Sequence, residues 1–337
     1  MPERRLGDGP GSNWSGTEVM DPKLSVIVPT HNRWHFLTRA LASVLSQSEG
    51  ELEVLVVDDG SSDETPERLA AISDPRVRAL RQEPNQGVAA ARNRGIAEAR
   101  APWVAFLDDD DFWGPDKVRA HLGRLAEAGT EWSYGSAISV GDRGEPRKLL
   151  EAPSPDGIVP GLLQANVVGP PSTVTARTAL VRDAGGFDEN LGVLADWDLW
   201  IRLAGRATAA AHSTPHVAYC EHDSNMQGGP CSNKRSELEY LAAKHGASGS
   251  GSNAFAASMF ERMAIEDARR EGRRFRAGAG YIRLGIRERL GRDVLRGGGV
   301  LLGEGAIRRL GPVTRPKVTL PSWVATGFSA TLAFPLG

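Results

Sequence analysis

Three short apolar runs, Leu24 to Pro29, Glu53 to Val57 and Trp103 to Leu107, each break off into a polar loop that leads into a helical pattern. Runs of this length between turn residues read as buried strands. After the first, Phe36, Leu37, Ala40, Leu41, Val44 and Leu45 recur at three and four between Trp34 and Gln47, one apolar helix face. After the second, Gly60 permits a tight turn, and Ser62 or Asp63 can cap the next helix. A shorter strand, Val77 to Leu80, precedes the alanine-rich segment Asn85 to Gly95. Strand and helix in alternation predict an α/β fold with a mostly parallel sheet, helices on both faces and right-handed crossovers. Ligands of such sheets bind outside the carboxyl ends of the strands. That is where this chain collects its polar residues.

The third run ends in four consecutive carboxylates, Asp108 to Asp111. Adjacent acids repel, so they either fan into water as a turn before the helix marked by Pro115 and Asp116, or face something positive. A divalent cation on a substrate phosphate would serve, because Mg²⁺ and Mn²⁺ take hard oxygen ligands and usually only one or two carboxylates.

Beyond residue 130 the pattern loosens. Trp132 to Val140, Ser172 to Leu180, Ala207 to Ala211 and His216 to Tyr219 have strand character, 142–161 reads as a surface excursion, and a helix opens at Asp196. Residues 1–22 are polar and Gly-rich, the pattern of a disordered tail. A Gly/Ser stretch near 246–252 reads as a linker. Phe255, Met259, Phe260, Met263 and Ala264 after it fit an amphipathic helix. The expected organisation is therefore the tail, a domain at 23–228 and a basic, mainly helical region at 229–337.

Net charge is −2, which gives no global argument for nucleic acid, yet from residue 225 onward 18 Lys and Arg face 9 Asp and Glu. That surplus is either a solvated face or a surface for anionic lipid head groups or an anionic acceptor. Cys220 and Cys231 make no disulfide framework, and no signal-like or membrane-spanning run is evident. A cytoplasmic protein is expected, with peripheral contact at the inner membrane face as a further option.

Taken in order, five segments resemble the family 2 glycosyltransferases, which have the GT-A fold. They are Ser25-Val-Ile-Val-Pro-Thr-His-Asn32, Val56-Val-Asp-Asp-Gly-Ser-Ser-Asp63, Asn85 to Gly95, Phe106-Leu-Asp-Asp-Asp-Asp111 and Asp196-Trp-Asp-Leu-Trp-Ile-Arg202. The resemblance covers about residues 24–225. It implies a metal-dependent, inverting transfer of sugar from a nucleotide diphosphate sugar, UDP-sugars favoured, to a hydroxyl of a glycan, a lipid-linked acceptor or a small molecule. It implies Asp59 at the nucleobase with Pro29, Thr30 and His31 lining the same pocket, and Asp58 as an alternative tie for the turn. It also implies Asp108 and Asp110 as the acids of a DXD motif with Asp110 on Mn²⁺ or Mg²⁺, Asp109 near the ribose, and His222 near the metal. Arg92 and Arg94 could meet phosphate or lie on a solvated helix face. Asp196 matches the family's catalytic base, and the same residue could also cap its helix. The family usually places another acid just before that base, where this chain has Ala195. A donor-binding protein without transferase activity is the alternative. Asp198 turns away from Asp196 and is expected to pair with Arg202 on its own face.

Overall fold

A computed structural model describes residues 21–141, 144–222, 231–246, 260–261, 264–265, 268–269, 271–287, 298, 300–301 and 321–330. The expected tail at 1–20, the stretch at 247–252 and most of the expected helix at 255–264 lie outside these residues.

Strands β1 (Leu24–Thr30), β2 (Leu52–Asp59), β3 (Val77–Gln82) and β4 (Trp103–Phe106) form the parallel half of a single sheet in the order β3-β2-β1-β4. All residues of β1 and β2 are buried, as central parallel strands require. Pro29 is tolerated inside β1 because the β4 ladder has already ended opposite Ile27, where Pro29's side of the strand would otherwise owe a hydrogen bond. Helices α1 (Trp34–Leu45), α2 (Thr65–Ala70) and α3 (Val88–Glu98) connect these strands. Leu37, Ala40, Leu41 and Val44 of α1 pack under Val26, Val28, Val54 and Val56.

The second half of the sheet is mixed. It adds β5 (Phe112–Trp113), β6 (Trp132–Val140), β7 (Pro146–Leu150), β8 (Val174–Arg177) and β9 (Ala209–Cys220), running β4-β8-β6-β9-β5 with β7 on the edge of β6. Helices α4 (Lys117–Ala128), α5 (Ile158–Leu162), α6 (Thr178–Asp183) and α7 (Ala195–Ala204) pack around it. The expected strand at 172–180 is a 3-10 turn, a short strand and then a helix start, because Thr178 donates its hydroxyl to the Ala101 carbonyl as the chain leaves the sheet. The two short strands expected at 207–219 are one strand, β9, whose register with β6 shifts near Gly135 and so absorbs the polar middle. Helices α8 (Cys231–Gly246), α9 (Arg274–Arg287) and α10 (Ser322–Ala330) follow. In α10, Gly327 abuts the Phe112 ring where a Cβ would stand 2.5 Å from it, and Trp323 meets the same ring edge-on.

Lys117, at the first turn of α4, is fully buried, and burial holds its amine well below the ordinary lysine range. Its Nζ donates to Thr175 Oγ1 at 2.9 Å and lies 3.9 Å from the Trp113 ring centroid. An amine whose folded pKa is depressed by burial weakens the fold below its unfolded value of 10.5, and this cost fades as the pH rises towards that value. Lys117→Met should therefore raise the unfolding free energy at pH 7 by about 1–3 kcal/mol, as hydrophobic replacement of buried charge often does. The advantage should shrink at pH 9.5, which denaturant titrations at both pH values would read. A loss of stability at both would show that the amine supports the core.

Candidate active site

The carboxyl ends of β1, β2 and β4 open into a cavity of about 460 Å³, within the usual range of small-molecule sites. Pro29, Thr30, His31, Asp59, Arg92, Asp108, Asp109, Asp110 and Asp196 all line it. These residues span 168 positions of sequence and come from five separate segments: the ends of β1, β2 and β4, the helix α3 and the start of α7. His222 is not in the lining but donates to or accepts from Asp110 Oδ2 through Nε2 at 3.0 Å.

Asp59 joins the floor to the next loop. Its Oδ1 accepts from the Gln82 side chain at 2.7 Å and from Gln86 N at 2.8 Å, and its Oδ2 accepts from Gly87 N at 2.8 Å. Gly87 has φ 93°, so the amide reaches the carboxylate only because no side chain is present. Asp58 accepts from Ser61 N and pairs with Arg81, tying the turn as expected of it. His31 Nδ1 meets the Asp59 carbonyl at 2.8 Å.

The four acids do not fan into water. Asp111 is fully buried, with Oδ2 on the Ser172 hydroxyl at 2.6 Å and Oδ1 on Cys220 N at 3.0 Å. Burial, helped by the charges of Asp110 and Asp108, raises its carboxyl well above the usual range, against the two hydrogen bonds it accepts. Asp109 accepts from Thr30 Oγ1 at 2.8 Å and from Arg33 at 2.9 Å, and burial lifts its carboxyl to about 7, with the Asp110 charge adding to the rise. For Asp110, burial opposes ionisation, but the His222 hydrogen bond and the Arg33 charge outweigh it and hold the carboxyl below its usual value. Arg92, 6 % exposed, contacts Asp108 at 2.5 Å, and its guanidinium lies 5.1 Å from the Phe187 ring centroid. Its Nε has no hydrogen-bond partner among the described residues, so a buried donor is left over beside the cavity.

Asp196 is the second residue of α7. Its Oδ1 accepts from Trp197 N at 2.6 Å, using one of the free amides of the first turn, and its Oδ2 accepts from Asn166 Nδ2 at 3.1 Å. Burial pushes its carboxyl up to about 7, against the pull of Arg92 and these two donors. A carboxylate in that range, open to a cavity, is suited to taking a proton near neutral pH. Ala195 is fully buried in the main apolar cluster. An acid at 195 would enter that cluster, so its absence opens no gap in the cavity wall.

Asp198 points away, as expected. It is fully buried and accepts from Arg202 at 2.6 Å, Lys244 at 2.9 Å and His245 at 2.8 Å. On the same side, Glu237 of α8 accepts from Leu194 N at 2.9 Å, and Asp188 accepts from Tyr240 and Lys244. The strand-by-strand reading did not single out Arg33, Asn166, Ser172 or Tyr219. Arg33 stands next to a recognisable loop, so its charge was a usable signal. Asn166 lies in a stretch with no periodicity, and only the fold brings it to Asp196.

Asp110 and His222 form a pair to which a divalent cation would fit. The two donor atoms are 3.0 Å apart, and the imidazole is stacked on Phe36 with centroids 4.5 Å apart. No group of three or more His, Cys, Asp or Glu suited to a metal occurs among the described residues. A cation held by Asp110 and His222 would have to share Asp110 with Arg33, 3.0 Å from Oδ2, and to complete its shell with groups such as substrate phosphate oxygens.

Residues 25–182 match the family model described as glycosyl transferase family 2. The chain is similar to the succinoglycan biosynthesis protein ExoO of Rhizobium meliloti, 33% identical over 189 residues, which cover 53% of this chain and 54% of that protein. It is also similar to the UDP-Glc:alpha-D-GlcNAc-diphosphoundecaprenol beta-1,3-glucosyltransferase WfgD of Escherichia coli, 34% identical over 116 residues, covering 34% of this chain and 46% of WfgD. The chain spans between 28% and 54% of the length of these and other curated relatives it matches first. The fold is that of S. aureus TarS 1–349 in complex with UDP-GlcNAc, with a TM-score of 0.59 and 20% identity over 78% of this chain and 80% of that one.

Proposed function

We propose, from the match of residues 25–182 to the family model described as glycosyl transferase family 2, that this protein moves a sugar from a nucleotide diphosphate sugar to an acceptor hydroxyl with inversion. The observation that carries this reading is the meeting of Asp196 with the acids of the β4 loop around one cavity. The acceptor hydroxyl gives its proton to Asp196 as its oxygen attacks the anomeric carbon. The bond from that carbon to the diphosphate oxygen breaks, and the nucleoside diphosphate leaves. Asn166 and Trp197 N hold both carboxylate oxygens, so the base is oriented before substrate arrives. Arg92, with its spare Nε–H, and Arg33 bring positive charge to where the diphosphate gains negative charge. Asp110 and His222 would hold Mn²⁺ or Mg²⁺, which when bound acts as a Lewis acid on the diphosphate. Pro29, Thr30, His31 and Asp59 line the part assigned to the base, with Asp108 and Asp109 towards the ribose and diphosphate. A UDP-sugar is favoured because the structural neighbours are described with UDP and UDP-GlcNAc. Polysaccharide or related glycan synthesis is favoured by the relatives' names.

A thermal-shift panel of UDP, GDP, dTDP and CMP, each with and without Mn²⁺, tests the donor. Ligand at a hundred times its dissociation constant adds about 2.7 kcal/mol, several degrees at roughly 2–4 °C per kcal/mol for this size. The largest shift is expected for UDP with Mn²⁺. A shift with a different nucleotide would change the donor class, and no shift with any would remove the site assignment.

A further inference from the structure

Helix α9 has two apolar faces, and the described residues cover only one. Ala277, Tyr281 and Leu284 are buried against Ile265 and Ala268. At 100° per residue, Phe275, Ala279, Ile282 and Ile286 line up on the opposite side, spaced i, i+4, i+7 and i+11. Phe275 and Ile286 are each 67% exposed and rank among only four large exposed hydrophobics in the described residues. The flanks of this stripe are basic: Arg276 and Arg283 border one edge and Arg274 the other, all exposed. Arg273, in the preceding turn, is paired with Glu271. The helix contains no Asp or Glu.

We propose that this face of α9 docks on an anionic lipid bilayer, with the helix lying in the plane of the interface. An apolar stripe bordered by arginines is the arrangement that sinks branched and aromatic side chains among acyl chains while guanidinium groups meet phosphate head groups. A soluble polyanion would satisfy the arginines and leave Phe275 and Ile286 in water. No helix among the described residues is long and apolar enough to cross a membrane, so the contact is a surface one. The proposal does not depend on which sugar is transferred. It would place the cavity beside acceptors that sit in or on the bilayer.

The test is sedimentation of the full chain with vesicles of neutral phosphatidylcholine and with vesicles containing 30% phosphatidylglycerol. Binding is expected only to the anionic vesicles and should fall at high salt. Phe275→Ser with Ile286→Ser, and separately Arg276→Gln with Arg283→Gln, should each lower the bound fraction at least ten-fold. Both pairs are exposed, and unchanged thermal midpoints and UDP-dependent shifts would show that fold and donor site are intact. Absence of vesicle binding overturns the proposal. So does binding that the serine pair leaves unchanged, which would make the arginines a polyanion site. Saturable binding of an acidic amphipathic peptide in place of vesicles would make the face a protein-docking site instead.

Discussion

Asp196→Asn is expected to lower kcat by about 10³-fold, within the range attributed to a positioned general base, while the protein becomes no less stable at pH 8. The two halves of that result have one origin. Burial raises the Asp196 carboxyl to about 7 from its ordinary 3.8, so the folded state prefers the protonated acid. Its contribution to stability is complete below pH 4 and is lost as the pH rises through 7. At pH 8 the wild-type protein carries the cost of a buried charge that asparagine does not. The variant should then gain about 1–2 kcal/mol, less than the full shift of roughly 1.4 kcal/mol per unit, because its amide faces the Asn166 amide. Catalysis runs the other way, since only the ionised base accepts a proton. Wild-type kcat/KM should climb about ten-fold per pH unit below 7 and level off above it. A flat profile between pH 5 and 9, or an asparagine variant retaining a tenth of the activity, would assign the base to another group.

Asp110→Ala should cost as much by a different route. Without this carboxylate only His222 would be left of the two proposed cation ligands, and Arg33 keeps Asp109 as its partner. Lewis-acid assistance is worth several kcal/mol, so kcat should fall about 10³-fold at ten-fold per 1.36 kcal/mol. The Mn²⁺-dependent part of the UDP thermal shift should vanish, leaving a weaker metal-independent part held by Arg92 and Arg33. Titration calorimetry of Mn²⁺ into the UDP complex reads the loss without turnover. Retention of Mn²⁺ affinity would put the cation on Asp108 or Asp109 instead.

The strands of the parallel half of the sheet could be read from local pattern, and seven of the cavity residues, Pro29, Thr30, His31, Asp59 and Asp108 to Asp110, lie at the carboxyl ends of those strands, whereas Arg92 inside α3 and Asp196 at the start of α7 were indicated by the family resemblance. At those strand ends, apolar periodicity stops and polar residues begin, and the two signals reinforce each other. The second half of the sheet was less readable. Phe112 and Trp113 are too short a strand to show a period, and β9 hides its middle behind a register shift. The state of the four acids was also not readable. Whether Asp111 is solvated or sealed depends on Ser172 and Cys220, 61 and 109 residues away. Likewise, Asn166 reaches Asp196 across 30 residues that include a 3-10 turn, β8 and α6.

The family match stops at residue 182, yet the negative charge of Asp198 is balanced in part by Lys244 on α8, and His245 of the same helix hydrogen-bonds to it. Glu237 on that helix also holds Leu194 N, beside the Gly192 and Val193 wall of the cavity. The segment by which such a chain is recognised and the segment that must fold cooperatively are therefore different lengths. An exchange of catalytic segments between relatives, cut at the end of the recognisable match, would separate a buried anion from its counter-charges. Recombination boundaries that preserve this protein should fall beyond His245, where the electrostatic debt of α7 has been settled.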